Sequence, residues 1–158
     1  MVESDAITWT APDDAHPART ASQRSAAAVA RGDKDGWLDL FAPDAVVEDP
    51  VGPSVFDPDG KGHRGRDGIA AFWDLAIAGV ERFHFTITDS FAAGDECANV
   101  GTITSVLGGG TRVDTEGVFV YRVDADGRIV SMRAHWEFAR AMETARPYED
   151  DLPASRKP

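Results

Sequence analysis

Cysteine occurs once, at Cys97, so no disulfide can form within the chain and nothing in its composition requires an oxidising compartment. Basic residues are scarce: 16 Lys and Arg stand against 27 Asp and Glu, a formal net charge of −11. That excess repels nucleic acid and anionic membrane surfaces, and no concentrated basic patch offsets it. Long apolar runs are missing as well. No segment has the length to cross a bilayer, and the N-terminus lacks the basic-then-apolar order of a secretory leader. These absences lead to the expectation of a cytoplasmic protein with a small or neutral ligand. Metal-binding spacings are equally absent. His63, His84 and His135 form no HxH or HExxH arrangement, and the strand histidines alternate with apolar partners expected to face inward. "DPDGKG" lacks the downstream glutamate of a calcium loop, and "GGG" at 108–110 opens no helix and is a turn, not a phosphate cradle. No cofactor and no metal are expected.

The 158 residues suit one domain, and a 42% hydrophobic share supports one core. Residues 1–18 mix prolines, acids and small residues without a period, and read as an arm or tail. A helix is expected from Thr20, where Thr20 and Gln23 have capping-box spacing, to Gly32. A second follows in "DKDGWLDLFA", with Trp37, Leu40 and Phe41 on one face. "AVVEDPVGP" at 45–53 then reads as a strand. Alternation puts Ala45, Val47 and Asp49 on one side and Val46 and Glu48 on the other, so one carboxylate follows an apolar face inward. Residues 50–68 are dense in Pro, Gly and Asp and form a long loop, either a lid over a pocket or a surface excursion. Ile69, Phe72, Trp73 and Ala76 mark a third helix closing at Gly79.

After Glu81 the period changes to two. Four alternating segments follow, with turns at "LGGGT" and "DADG", which is the pattern of an antiparallel meander. Strands after a helical beginning indicate an α+β fold in which helices cover one face of a curved sheet. The domain is expected to span 19–143, with 144–158 as a C-terminal tail.

Three passages, "GDKDGWLDLFAPDAVVEDPVG", "IAAFW" and "GRIVSMRA", resemble the ketosteroid isomerase branch of the nuclear transport factor 2-like (SnoaL-like) superfamily. The resemblance implies a cone-shaped α+β barrel with a hydrophobic pocket. It also implies proton transfer on a 3-oxo-Δ5 steroid, with Asp49 as general base, and a homodimer. Ketosteroid isomerases are themselves the reference case for an Asp base facing an oxyanion hole of Tyr and a protonated Asp. Counting along the family's motifs, that Tyr falls on Ser25 and that Asp on Phe119, while a supporting Tyr falls on Trp73. Both oxyanion donors are therefore replaced.

Substitute donors are sought among Ser25, Trp73, Asn99, Ser105 and Tyr121, with Glu116 added if a β-bulge turns it inward. Tyr121 and Trp73 rank first. The substrate-binding wall is expected to include Phe41, Val47, Phe72, Asn99 and Gly101. Phe119, Met132, Ala134 and Trp136 complete it. The expected function is cofactor-independent isomerisation of an apolar cyclic ketone. The alternatives are a steroid- or polyketide-binding protein without turnover and a dimerisation module that pairs through Arg133, His135 and Glu137.

Overall fold

The computed structural model describes residues 5–152. Pro17 opens the first long helix, α1 (Pro17–Ala30), three residues before the expected start. The reason is His16, whose Nδ1 accepts from the backbone N–H of Ala18 at 3.1 Å while Nε2 donates to the Gly94 carbonyl at 2.9 Å. One neutral tautomer satisfies both contacts, and proline at the first helical position removes a donor that would otherwise be unpaired. Thr20 and Gln23 are therefore interior residues and not a capping box. Gly32 adopts a left-handed conformation just past the helix end, as expected.

The second helix is shorter than its periodicity suggested. It runs only from Lys34 to Leu38 (α2), capped by Asp33 accepting from Gly36 N–H at 2.9 Å. Phe41 already belongs to the next strand, β2 (Phe41–Glu48). After the 49–62 loop come β3 (His63–Arg64) and α3 (Gly65–Phe72), which continues as a single π-helical turn over Trp73–Ile77. Four long strands follow: β4 (Val80–Ala93), β5 (Glu96–Leu107), β6 (Thr111–Val123) and β7 (Ile129–His135). They pair antiparallel in sequence order, which is the expected meander.

Two parallel pairings extend that meander into a curved, open sheet of order β1 (Ile7–Trp9)-β4-β5-β6-β7-β2-β3. β2 runs parallel to β7, placing Val47 beside Met132 and Glu48 beside Arg133. At the other edge Ile7–Trp9 forms strand β1, parallel to β4. The N-terminal arm is thus part of the sheet over these residues, because Ile7 and Trp9 have apolar surface to bury. At the opposite terminus α4 (Phe138–Met142) and β8 (Arg146–Pro147) return to the sheet, β8 pairing with β6. Arg112 holds Asp151 at 2.6 Å and Arg82 reaches the Tyr148 hydroxyl at 2.7 Å, so 144–151 is latched and does not trail away. The tail readings for 1–4 and 153–158 lie outside the described residues.

The helices pack against the concave face and divide it into two zones. At one end Trp37, Phe41, Ile69, Trp73 and Ile129 pack together in the core, with Trp37 and Phe41 in edge contact at 4.8 Å and Trp37 also bordering the cavity. At the other end α1 and the inward faces of β4, β5 and β6 leave a cavity between them. His84 is buried on the convex face, its ring nitrogen 2.8 Å from Thr8 Oγ1, where the alternation alone left it outward. Among the described residues no helix is long and apolar enough to cross a membrane.

Candidate active site

Inward-facing residues of β4, β5 and β6, the cavity side of α1 and the π-helical turn enclose a cavity of about 420 Å³. That volume lies within the roughly 300–1,000 Å³ typical of small-molecule sites. The walls are mainly apolar. Val55 and Phe56 of the long loop contribute to them, so the loop is wall and not excursion, and Asp57 pins it by accepting from Gly62 N–H at 2.7 Å. Ile7 and Trp9 of the arm, and Phe138 and Met142 of α4, line it as well.

Asp49 reaches the cavity from the end of β2, where Ala45 and Val47 on the same strand side are fully buried. Val51 N–H bonds the Ala134 carbonyl at 2.9 Å, which carries the β2–β7 pairing past Asp49. The carboxylate has one hydrogen-bond donor among the described residues: Trp136 Nε1, 2.6 Å from Oδ1. Burial pushes its pKa up from 3.8 to about 6, with the Trp136 bond pulling modestly the other way. Glu48 points away, as alternation requires, and pairs with Arg133 Nε at 2.6 Å.

Tyr121 faces the same cavity from β6, and its hydroxyl lies 3.1 Å from Ser25 Oγ. Ser25 Oγ in turn accepts from Trp37 Nε1 at 3.0 Å. Trp37 can only donate, so the serine proton is available to the Tyr121 oxygen, and in that arrangement the phenol proton is available to the cavity. Burial first, then Ser25 in opposition and the nearby Asp49 charge, set the Tyr121 pKa at about 12. The phenol stays protonated, as a donor must.

The remaining expected residues divide cleanly. Phe72, Asn99, Phe119, Met132 and Trp136 line the cavity. Phe41, Val47, Trp73, Gly101 and Ala134 do not. Trp73 belongs to the core, 5.4 Å from the Trp37 ring, because it continues the buried face of α3 one turn after Ile69. Phe41 and Val47 are packed into the same core. Ala134 is fully buried in it and is short, and Gly101 lies so close to the Thr86 carbonyl of β4 that even a Cβ would collide. Ser105 lines the cavity. Glu116 does not turn inward: β5 and β6 pair without a register break, and Glu116 contacts Arg140 instead.

With this geometry in view, the SnoaL-like domain model matches residues 22–132. The chain belongs to the SnoaL-like family. Within it the chain is ketosteroid isomerase-like. It is 35% identical over 109 residues to the steroid Δ-isomerase of Nocardioides simplex, covering 69% of this chain and 80% of that one. The Δ5-3-ketosteroid isomerase of a Mycobacterium species superposes with a TM-score of 0.74 at 37% identity, over 84% of this chain and 98% of that one. RV0760c of Mycobacterium tuberculosis, solved with estradiol-17β-hemisuccinate, gives a TM-score of 0.74 at 38% identity, over 84% of this chain and 99% of that one.

Counting along motifs missed two features of this SnoaL-like domain. The first is Trp136 as the donor to Asp49; both residues lay on inward faces, but no sequence spacing couples positions 49 and 136. The second is the contact of Ser25, itself weighed as a substitute donor, with Tyr121, which no sequence spacing links to position 25.

Proposed function

We propose that the protein is a cofactor-independent isomerase of an apolar cyclic ketone, of which a 3-oxo-Δ5 steroid is the model substrate. Asp49 removes the proton from the carbon between carbonyl and alkene, C4. The electron pair moves into the C3 carbonyl and makes a dienolate, whose oxygen accepts from the Tyr121 hydroxyl. The protonated Asp49 then delivers the same proton to C6, and the double bond comes into conjugation. A base whose conjugate acid has a pKa near the working pH suits both halves of that transfer. The observation that carries the reading is the Asp49 carboxylate, held in an apolar cavity with one donor among the described residues and a pKa of about 6. Turnover of the steroid, followed by the ultraviolet absorbance of the conjugated enone and abolished in Asp49→Asn, tests it.

A second reading has one observation in its favour. Phe119, buried on the cavity wall, stands where the family's oxyanion acid is expected, which suits a cavity that holds a steroid without converting it. Saturable steroid binding with no enone formation in the wild type would select that reading. For either function we propose a homodimer formed through the convex face, where Arg133 and His135 are exposed; sedimentation at micromolar concentration tests it.

A further inference from the structure

We propose that Asn99 is the second oxyanion donor of this site, and that Arg19 acts through Ser90 as its positioning and polarising partner. The inference rests on the isomerase reading, and it names the donor that stands in for the missing acid.

The orientation of the Asn99 amide is fixed by its neighbours. Oδ1 accepts from Ser90 Oγ at 2.8 Å and from Cys97 Sγ at 3.1 Å. Nδ2 donates to Ser22 Oγ at 2.9 Å, and the Ser22 hydroxyl proton is committed to the Arg19 carbonyl at 2.7 Å. A flipped amide would face Ser22 with an oxygen that has no proton to accept, so only one orientation satisfies the set. That orientation uses one of the two Nδ2 protons. Asn99 is 4% exposed, and what it opens onto is the cavity.

Arg19 supplies the driving potential. Arg19 is 6% exposed, and its guanidinium has no carboxylate within ion-pair distance among the described residues. Nε donates to Ser90 Oγ at 2.9 Å, and the two terminal nitrogens donate to the carbonyls of Asp14 at 2.8 Å and Ser90 at 3.2 Å. A guanidinium keeps its charge in proteins, and a buried cation without a counter-charge is costly. The chain Arg19 Nε–H to Ser90 O–H to Asn99 C=O runs in one direction, so each bond polarises the next and increases the positive character of the amide N–H groups. A negative charge developing in the cavity is the partner this arrangement lacks.

Strand register places the donor. Asn99 is directly opposite Phe119 on β5 and β6, and Tyr121 lies two residues further on the same face. Such diagonal neighbours sit roughly 7–8 Å apart at Cα, close enough for a tyrosine and an asparagine to bond one ligand oxygen. The acid lost at 119 is thus replaced from across the ladder.

The experiment uses 4-nitrophenol as an oxyanion mimic, because its ionised and neutral forms absorb at different wavelengths. In Asp49→Asn, which carries no charge at the base, bound probe is expected as the phenolate. Adding Asn99→Leu should weaken phenolate binding by roughly 10²-fold, in line with removal of an oxyanion donor. Ser90→Ala and Arg19→Met should each shift bound probe toward the neutral phenol, and Arg19→Lys should restore part of the phenolate signal. Ser90→Ala decides the matter if Asn99→Leu fails to fold. Unchanged phenolate affinity and spectrum in Asn99→Leu and Ser90→Ala, or no phenolate bound in Asp49→Asn, would overturn the proposal. The probe needs no turnover. A wild type inactive on steroids with this response intact would count against Asp49 as base and leave Asn99 as oxyanion donor.

Discussion

Trp136 Nε1 donates to Asp49 Oδ1 at 2.6 Å, across the parallel pairing that brings the end of β2 beside the end of β7. The indole is the one donor to the carboxylate among the described residues, so the charge state of Asp49 is a balance between that bond and burial. Burial wins, and the pKa rises to about 6. A carboxylate in water would be a weaker base; one with several donors would be weaker still.

The pH dependence of turnover follows directly. Asp49 must be ionised to accept a proton, so kcat/KM should fall as pH drops through about 6 and level off above it. Trp136→Phe removes the bond that favours the ionised form. Its acidic limb should therefore move to higher pH, and pH–rate profiles of the two proteins measure the displacement.

Stability should show the opposite preference. A carboxylate whose folded pKa is raised binds its proton more tightly in the folded state, so the folded protein loses stability as pH rises from about 4 to about 6. Above that window the ionised Asp49 costs at most about 3 kcal/mol. Asp49→Asn keeps an acceptor for Trp136 and removes the charge. Urea denaturation at neutral pH should find the variant more stable than the wild type, and at strongly acid pH the difference should vanish.

Core and cavity were not equally legible in the sequence. Asp49 was, because two-residue alternation and the "EDPVG" passage both place it inward. Tyr121 was legible by the same alternation along an unbulged strand. Trp73 was legible as a buried residue but not as a core one: the period puts it on the face of Ile69, and only the packing against Trp37 decides that it fills the core and not the cavity wall. Phe41 matched a helical period by coincidence of spacing, and the helix stopped at Leu38. The arm and the C-terminal segment had no period to read. Their order comes from tertiary pairing, Ile7–Trp9 on β4 and Arg146–Pro147 on β6, which no local pattern encodes. The support for Tyr121 from Ser25 and Trp37 likewise joins three elements distant in sequence.

Tyr121→Phe should lower kcat by roughly 10²–10³-fold with a small change in KM, since the lost bond strengthens as the carbonyl oxygen becomes an enolate. Ser25→Ala should cost less, because the phenol remains while the group that orients its proton is gone. Steady-state kinetics on the same steroid separates the two. Equal losses would mean that the phenol contributes nothing unless Ser25 orients it.

On the proposed reading the arm should affect binding more than chemistry, because Ile7 and Trp9 line the cavity. Ile7→Ala with Trp9→Ala removes apolar surface from the cavity edge. At about 25 cal/mol per Å² of buried apolar surface, a loss near 50–60 Å² weakens binding roughly tenfold. Tryptophan fluorescence titration of a steroid ligand should show that loss, with kcat at saturation little altered.

The central claim is that Asp49 is the proton carrier, and the most direct measurement pairs turnover with binding in wild type and Asp49→Asn. The account predicts enone formation in the wild type, a loss of roughly 10²–10⁴-fold or more in the variant, and steroid affinity retained by both. Enone formation that persists at the wild-type rate in Asp49→Asn would contradict it, as would saturable binding without turnover in either protein.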